Sequence, residues 1–169
     1  MYRKRFDEMN CAVAQALEQI GDWWTLLLVR EAFYGTTTFS GFLERLGIAK
    51  NILTERLKRL VELGIIHREQ SKPGVERYTY HLTDKGRDLL PVLVALMQWG
   101  DKWVFNDRRE PIRILDSVTH RPIGKVSVTA ADGRPLGIGD LRFRPGPGAN
   151  RQTHERFAEA KRRRTASND

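Results

Sequence analysis

The sequence predicts an α+β fold in which two short helices around a tight turn are followed by a two-stranded β-ribbon. Residues 39–46 and 50–64 each carry helical periodicity, and the Gly-Ile-Ala sequence at 47–49 forms the turn between them. Residues 65–69 and 77–82 are rich in Ile, Tyr and Thr and flank a loop with a Pro-Gly pair, as hairpin strands do. Apolar helices are predicted on both sides. This order is typical of a winged helix-turn-helix domain with flanking helices.

The composition indicates a globular chain that favours polyanionic partners. Its 169 residues, 40% hydrophobic and 30% charged, suffice for one domain with a core plus appendages. The formal net charge of +8 makes nucleic acid the natural partner. On composition alone, a basic surface that only serves solubility is an equal alternative.

Targeting signals and cysteine usage favour a cytoplasmic protein without a cofactor. The N-terminal residues are charged and lack the apolar run of a signal peptide. No stretch approaches the roughly 20 apolar residues that span a bilayer, so no membrane partner is expected. The single cysteine, Cys11, excludes internal disulfides and a Cys-rich zinc site, and the four histidines show no metal-binding spacing. We therefore expect no metal.

Capping residues mark the first helices. Asn10 is placed to cap a helix that ends at Gly21, and Asp22 is placed to cap a second helix over residues 23–33. The second helix is apolar nearly all round, which indicates a core position. Thr38 is placed to cap the helix that starts at residue 39.

The second helix of the pair carries most of the residues predicted to contact DNA. Leu53, Leu57 and Leu60 repeat at helical spacing and form a buried stripe. On the opposite face, Asn51 can pair bidentately with adenine and Thr54 can contact the methyl group of thymine. The alternative is a solvated polar face. The cations predicted to hold phosphates, on this helix and on the ribbon, are Lys50, Arg56, Lys58, Arg59, Lys72 and Arg77.

The helix after the ribbon is predicted to form a dimer interface. Thr83 opens it, and Pro91 should kink or interrupt its first turns. Its apolar face includes Leu96, Trp99 and Trp103, more aromatic surface than the terminal helix of a small monomer needs. A two-fold interface is favoured, in which the first helix also packs against the same helix of the second protomer. The alternative is an ordinary intramolecular core.

The composition changes after residue 106, which suggests three segments. These are a winged-helix domain with dimerisation helices at 1–106, a small β-rich appendage at 107–148 and a basic, flexible tail at 149–169. In the appendage, Asp132 and Gly133 form a hairpin turn signal. Three short strands are predicted there, at 112–115, 124–129 and 141–144.

The stretch from residue 11 to residue 103 resembles the HxlR-type branch of bacterial winged-helix transcription regulators. The matching segments, in family order, are 11–14, 20–31, 39–42, 53–60, 64–68, 78–87 and 99–100. The resemblance implies a homodimeric, sequence-specific DNA-binding regulator, with a repressor favoured over an activator. It also implies a pseudo-palindromic operator, the second helix of the pair in the major groove, and the ribbon along the DNA backbone.

Two positions and one segment depart from the family pattern. Ala49 stands where a Ser commonly caps the second helix, so that cap should be missing, at a cost of about 1 kcal/mol or less. Ala12 stands where many relatives have Pro, which leaves the entry to the first helix less rigid. The appendage resembles the zinc-binding ribbon of longer relatives, but residues 129–133 contain no thiol. It is therefore expected to be metal-free.

Three further functional hypotheses stay open: redox sensing, a role in protein contact only, and regulation by a small molecule. Cys11, at a helix start close to the basic residues 3–5, could sense oxidants or electrophiles as cysteines of some relatives do, or could be a small buried hydrophobe. A winged helix used only for protein contact is the second. An enzyme is not expected, because the chain shows no Ser-His-Asp order, no Gly-rich phosphate loop and no carboxylate pair in a cleft-like context. The third is a small-molecule effector bound in an apolar pocket beneath Trp23, Trp24, Trp99 and Trp103.

Overall fold

The computed structural model describes residues 6–71, 77–105 and 109–166 and confirms the α+β fold. The described residues form two compact units: Ile20–Val126 is one, and the other joins those of Met1–Gln19 to those of Ser127–Asp169. The three segments drawn from composition are a different division and stay a prediction. No helix in the described part of the chain is long and apolar enough to cross a membrane.

Four helices precede the ribbon, and the predicted caps of two of them are confirmed. The Asp22 carboxylate accepts from the backbone N–H groups of Trp24 and Thr25, at 3.1 and 3.3 Å. The Thr38 hydroxyl accepts from the Gly41 N–H at 3.1 Å. These bonds satisfy donors that a helix start leaves unpaired. The helices are α1 (Ala12–Ile20), α2 (Trp23–Phe33), α3 (Phe39–Leu46) and α4 (Lys50–Glu62).

The predicted ribbon is an antiparallel pair, β1 (Ile66–Gln70) and β2 (Tyr78–Leu82). The chain just before α3 adds to it, because Thr38 forms a β-bridge with Thr79 and the Tyr80 N–H donates to the residue 37 carbonyl at 2.8 Å. The ribbon is thereby tied to the start of α3. Its register is Ile66–Leu82, His67–His81, Arg68–Tyr80, Glu69–Thr79 and Gln70–Tyr78.

The core of the Ile20–Val126 unit lies where α2, α3 and α4 meet the ribbon. Phe42 of α3 is fully buried, and its ring meets the Tyr80 ring edge-on with 6.4 Å between centroids. Burial raises the pKa of the Tyr80 hydroxyl. The largest fully buried side chains are Leu28, Val29, Phe42, Leu53, Leu57, Leu60, Ile65 and Ile66.

The ribbon is followed directly by the helices α5 (Asp84–Arg87) and α6 (Leu90–Trp103). The Thr83 hydroxyl caps α5 by accepting from the Gly86 N–H at 3.1 Å. Pro91 lies in the first turn of α6, where a missing N–H leaves no hydrogen bond unmade. The predicted interruption at this proline is confirmed.

The three strands predicted between residues 112 and 144 do not form a sheet. Over residues 109–148 the structure shows two isolated β-bridges, Leu115 with Pro122 and residue 129 with residue 135, and one short 3-10 helix, Ile138–Asp140. Within that range no strand ladder propagates. Residues 109–148 therefore form turns rather than the predicted strands.

Aspartate side chains account for these turns. The Asp116 carboxylate accepts from the N–H groups of Val118 and Thr119, at 2.9 and 2.6 Å. The Thr119 and Val118 backbone bonds lower the pKa of Asp116. Such bonds compete with a strand ladder, and the local prolines remove donors from it. The predicted turn at Asp132 is confirmed, with Gly133 in the left-handed region at φ +83°.

Within the predicted flexible tail, residues 151–166 form a helix, α7 (Arg151–Ala166). Asn150 caps it, because its side-chain oxygen accepts from the Thr153 N–H at 2.9 Å. The predicted role of Asn10 as a cap for the first helix is wrong. Its side-chain oxygen accepts instead from the Asn150 N–H at 3.0 Å and from the Thr153 hydroxyl at 2.8 Å. Asn10 therefore fastens the start of α7 within its own unit.

Candidate nucleic-acid interface

Helix α4 is held by one face and exposed along the other. Gly47 ends α3 in the left-handed conformation, φ +58°, and lets the chain turn directly into α4. Ala49 offers no side-chain cap, as its identity predicted. Leu53, Leu57 and Leu60 point into the core, so the opposite side of the helix must face solvent.

The solvent face of α4 presents five polar side chains on one shallow concave surface, which we call the α4 face. Asn51 is exposed, and its amide has no hydrogen-bond partner among the described residues. Thr54 donates its hydroxyl hydrogen to the Lys50 carbonyl at 2.8 Å. In this rotamer Thr54 can offer a methyl group and an acceptor to a base, but no donor. The α4 face consists of Lys50, Asn51, Thr54, Glu55 and Lys58.

The cations of α4 divide into two groups. Lys58 and Arg59 are exposed at 77% and 50%, and each lies near Glu62, at 3.9 and 3.7 Å. Exposed pairs of this kind contribute little stability, so a phosphate can replace the glutamate. Arg56 instead turns inward: its Nε lies 3.2 Å from the Asp22 carboxylate, and its side chain is 24% exposed. It connects α4 to the cap of α2.

The ribbon carries cations at its loop end and along its length. Lys72 lies outside the described residues. Arg77 is exposed, and its carbonyl accepts from the Ser71 N–H at 2.8 Å and the Ser71 hydroxyl at 2.9 Å, which closes the loop. Arg68 was not among the predicted contacts, yet it is exposed and lies 4.1 Å from the centroid of the Tyr78 ring. The sequence could have identified it as a cation within the predicted strand 65–69.

Helix α6 exposes an apolar stripe. Leu96, Trp99 and Trp103, the predicted dimer residues, are 53%, 59% and 64% exposed, and Val92 continues the stripe at 48%. The spacing of four, three and four residues places them on one helix face, as in a coiled-coil seam. Contiguous exposed apolar surface is typical of contact sites in other proteins. We call these four residues the α6 stripe.

Cys11 is a half-buried free thiol at the start of α1. It lines an open groove of about 910 Å³ together with Asn10, Gln15 and Arg144. The basic residues 3–5, which the sequence placed near it, lie outside the described residues. In the described part of the chain no group of three His, Cys, Asp or Glu side chains is arranged to hold a metal ion.

The predicted pocket beneath the four tryptophans is not where the apolar cavity lies. Trp23 is 73% exposed, and Trp24 packs against the core. A cavity of about 280 Å³ lies instead between α2 and α6, and none of the four indoles lines it.

Comparison with known proteins agrees with this architecture. The family model of the HxlR-like helix-turn-helix matches residues 19–108. An uncharacterized HTH-type transcriptional regulator of Mycobacterium tuberculosis is 36% identical over 137 residues, 81% of this chain and 87% of the relative.

Solved structures extend the similarity beyond the family match. PA1607, a candidate transcription factor, is 40% identical with a TM-score of 0.78 over 85% of this chain and 100% of its own. PA1374 of Pseudomonas aeruginosa, also a candidate transcription factor, is 33% identical with a TM-score of 0.60 over 86% of this chain and 99% of its own. The redox regulator HypR in its reduced form is 29% identical with a TM-score of 0.51 over 57% of this chain and 99% of its own. The chain belongs to the HxlR-like helix-turn-helix family of transcriptional regulators.

Proposed function

We propose that the protein is a homodimeric, sequence-specific DNA-binding regulator that acts as a repressor. The observation that carries this proposal is the α4 face, where an amide, a hydroxyl and two lysines stand exposed on a helix whose other side is fixed in the core. A helix of this kind fits the major groove, which is wide enough to admit it and carries a distinct pattern of donors and acceptors.

The side chains of the α4 face have separate roles in this proposal. Asn51 pairs with adenine through its free amide, and Thr54 contacts a thymine methyl group. Glu55 accepts from a cytosine amine, which is the one base contact that offsets its repulsion from phosphates. Lys50, Lys58 and Arg59 bind phosphates and set the register. Arg68 and Arg77 are further proposed contacts with the DNA backbone. Lys72, which lies outside the described residues, is kept as a predicted contact of the same kind.

Arg56 has a different proposed role from the phosphate contact that its charge suggests. Its guanidinium pairs with Asp22, the residue that caps α2, and most of its side chain is buried. A charge that is already paired and desolvated gains little from moving to a phosphate. We therefore assign Arg56 to holding α4 against α2.

The α6 stripe supplies the proposed dimer contact. Two copies of Leu96, Trp99 and Trp103 can bury one another across a two-fold axis, which removes three large apolar side chains per protomer from water. A two-fold dimer places its two α4 helices on half-sites of opposite direction. The centres of the two half-sites are expected to lie about 10–10.5 base pairs apart, or a multiple of that distance. Bound across a promoter, such a dimer represses by occupying the DNA.

Selection of bound sequences from random duplex DNA tests this function. The expected outcome is an enriched inverted repeat with the half-site spacing given above. If the winged helix serves protein contact only, the chain will not be retained on duplex DNA or heparin even at low salt, and no motif will be enriched.

Replacing Lys58 by alanine is expected to reduce the salt dependence of DNA binding. Each phosphate contact contributes about 0.9 to the slope of log K against log salt, so a dimer that loses two contacts should lose about 2 from the slope. Fluorescence anisotropy across a salt series measures it. Lys125→Ala is the matched control, since Lys125 is exposed but lies outside the α4 face. An unchanged slope for Lys58→Ala removes Lys58 from the phosphate contacts.

We infer a second candidate function, redox control through Cys11. It is supported by the accessible groove around this thiol and by the similarity to the redox regulator HypR. Because the chain has one cysteine, oxidation can join two molecules or form a mixed disulfide with a small thiol. In either product two thiols lose two electrons and two protons to the oxidant.

Treatment with diamide is expected to weaken DNA binding of the wild-type protein at least about 10-fold and to leave Cys11→Ser unaffected. Anisotropy before and after treatment, followed by reduction with dithiothreitol, measures both. Release of DNA by the oxidised Cys11→Ser protein contradicts the redox role.

A further inference from the structure

A cavity of about 280 Å³ lies between α2 and α6 within the Ile20–Val126 unit. Leu27 and Phe33 of α2 form one wall, Leu93 and Met97 of α6 form the other, and Ile114 of the following segment closes one side. A mostly apolar cavity with few polar groups is the usual form of a small-molecule site. It is separate from the α4 face, which shares no residue with it.

The size of the cavity limits its occupant. A dry cavity of roughly 150 Å³ lined by apolar side chains accommodates benzene. The cavity between α2 and α6 has nearly twice that volume, which suits two fused rings. A helix or strand of another protein is too thick to enter it.

One polar group at the cavity lacks a partner. Arg30 lines the cavity, and its Nε is a buried donor with no acceptor among the described residues. Its Nη2 already donates to the Glu31 carboxylate at 2.7 Å. A buried donor without an acceptor is unfavourable, so an occupant gains a hydrogen bond that the empty cavity lacks if its acceptor oxygen meets Nε after a rotation of the Arg30 side chain that uncovers this atom.

The charges around the cavity disfavour an anion. The Arg30 charge is neutralised by Glu31, whose side chain is 7% exposed, and Asp101 also lines the cavity. The three groups together carry one net negative charge. An anionic occupant would therefore be repelled, whereas an uncharged carbonyl can accept from Nε without that cost.

We propose that this cavity binds an uncharged, bicyclic aromatic molecule with one acceptor oxygen, and that its occupancy alters DNA binding. The second part rests on the proposed function. Asp22 caps α2, and its carboxylate lies 3.2 Å from Nε of Arg56, so a shift of α2 reaches the helix that carries the α4 face. Leu96 belongs both to the cavity lining and to the α6 stripe, so the same occupant also touches the dimer contact.

Three probes of similar size separate the features of the expected ligand. They are 2-acetylnaphthalene, which has a neutral acceptor, 2-ethylnaphthalene, which has none, and 2-naphthoate, which is anionic. The full chain with carbon-13 methionine methyl labels reports binding, because its three methionines include Met97 in the cavity and Met9 in the other unit as an internal reference.

The Met97 signal is expected to shift saturably with 2-acetylnaphthalene while the Met9 signal stays fixed. Compared with 2-acetylnaphthalene, 2-ethylnaphthalene should bind about 5-fold more weakly, because it lacks one hydrogen bond. The anion 2-naphthoate should bind about 10-fold more weakly or worse, because the cavity carries a net negative charge. Leu27→Trp, which fills the cavity, should abolish the shift. Arg30→Lys keeps the pairing with Glu31 but removes Nε, so the ketone and the hydrocarbon should then bind equally.

Three outcomes overturn the site. They are no saturable Met97 shift, tighter binding of 2-naphthoate than of the ketone, and a Met97 shift that follows protein concentration without probe, which assigns the cavity to a second copy. The probe is also expected to change affinity for the selected DNA about 3-fold or more. Binding at Met97 without that change contradicts the regulatory part alone. A protein that binds the probe but no DNA overturns the proposed function and leaves the site standing.

Discussion

Replacing Trp99 by glutamate is expected to convert the dimer into a monomer and to lower DNA affinity about 100-fold or more. Trp99 lies in the middle of the α6 stripe, between Leu96 and Trp103, and is 59% exposed in the single chain. In a two-fold dimer the new carboxylate would be buried against an apolar partner without a counter-charge, which costs several kcal/mol. A monomer holds one half-site and loses the high effective concentration that linkage to the second half-site provides.

Sedimentation velocity and fluorescence anisotropy measure these two effects on the same samples. Because the side chain is exposed in the protomer, its loss should leave the fold intact, which circular dichroism checks. Val118→Glu is the matched control: Val118 is also apolar and 84% exposed, but it lies outside α6. A Trp99→Glu protein that sediments as the wild type and binds DNA equally well places the dimer contact elsewhere.

Replacing Gly86 by alanine is expected to reduce the free energy of unfolding by about 3 kcal/mol. An added Cβ would lie 2.2 Å from the Ile65 carbonyl oxygen and 3.0 Å from Leu82 Cδ2. The Ile65 oxygen cannot give way easily, because it accepts from the Thr83 N–H at 3.1 Å at the end of the ribbon. The clash therefore separates α5 from the strand that it covers.

Urea unfolding followed by circular dichroism, at one protein concentration, measures the loss. Gly124→Ala adds the same methyl group in the same unit, where nothing lies within 4 Å. Its stability should stay within about 0.5 kcal/mol of the wild type. Equal stability of the two variants would show that Gly86 of α5 is not packed against Ile65 and Leu82 as described.

The features that the sequence could predict are those that neighbouring residues determine. The caps at Asp22, Thr38 and Thr83 bond to groups two or three residues away, so their chemistry is visible in a short window. Gly47 and Gly64 have positive φ for the same local reason. The helix pair and the ribbon follow from periodicity within 8 to 13 residues.

The features that the sequence could not predict depend on distant partners. Asn10 is a residue type that often caps helices, but its side-chain oxygen accepts from the N–H of Asn150, which lies 140 residues further along the chain. Arg56 has the identity of a phosphate contact, but Asp22 lies within 3.2 Å of it once α2 and α4 pack. Neither partner can be chosen from spacing along the chain.

The appendage shows a different limit. Alternation of apolar and polar residues predicted strands over 112–115 and 124–129, but a strand also needs a partner with free backbone donors. Asp116 and Asp132 bond to the backbone two and three residues on, and the turns that result leave isolated bridges. The alternation is present in the sequence, but these local side-chain bonds take the backbone donors that a strand ladder needs.

The most direct test of base reading by the α4 face is the sequence selection repeated with Asn51→Ala. Asn51 is exposed, and its amide has no hydrogen bond among the described residues, so the change should not disturb the fold. We expect the wild-type protein to select a symmetric motif and the variant to lose the preference for adenine at one position of each half-site, with a cost of about 1–3 kcal/mol there. The remaining positions should be kept. An identical motif for the two proteins would contradict the placement of α4 in the major groove through this face.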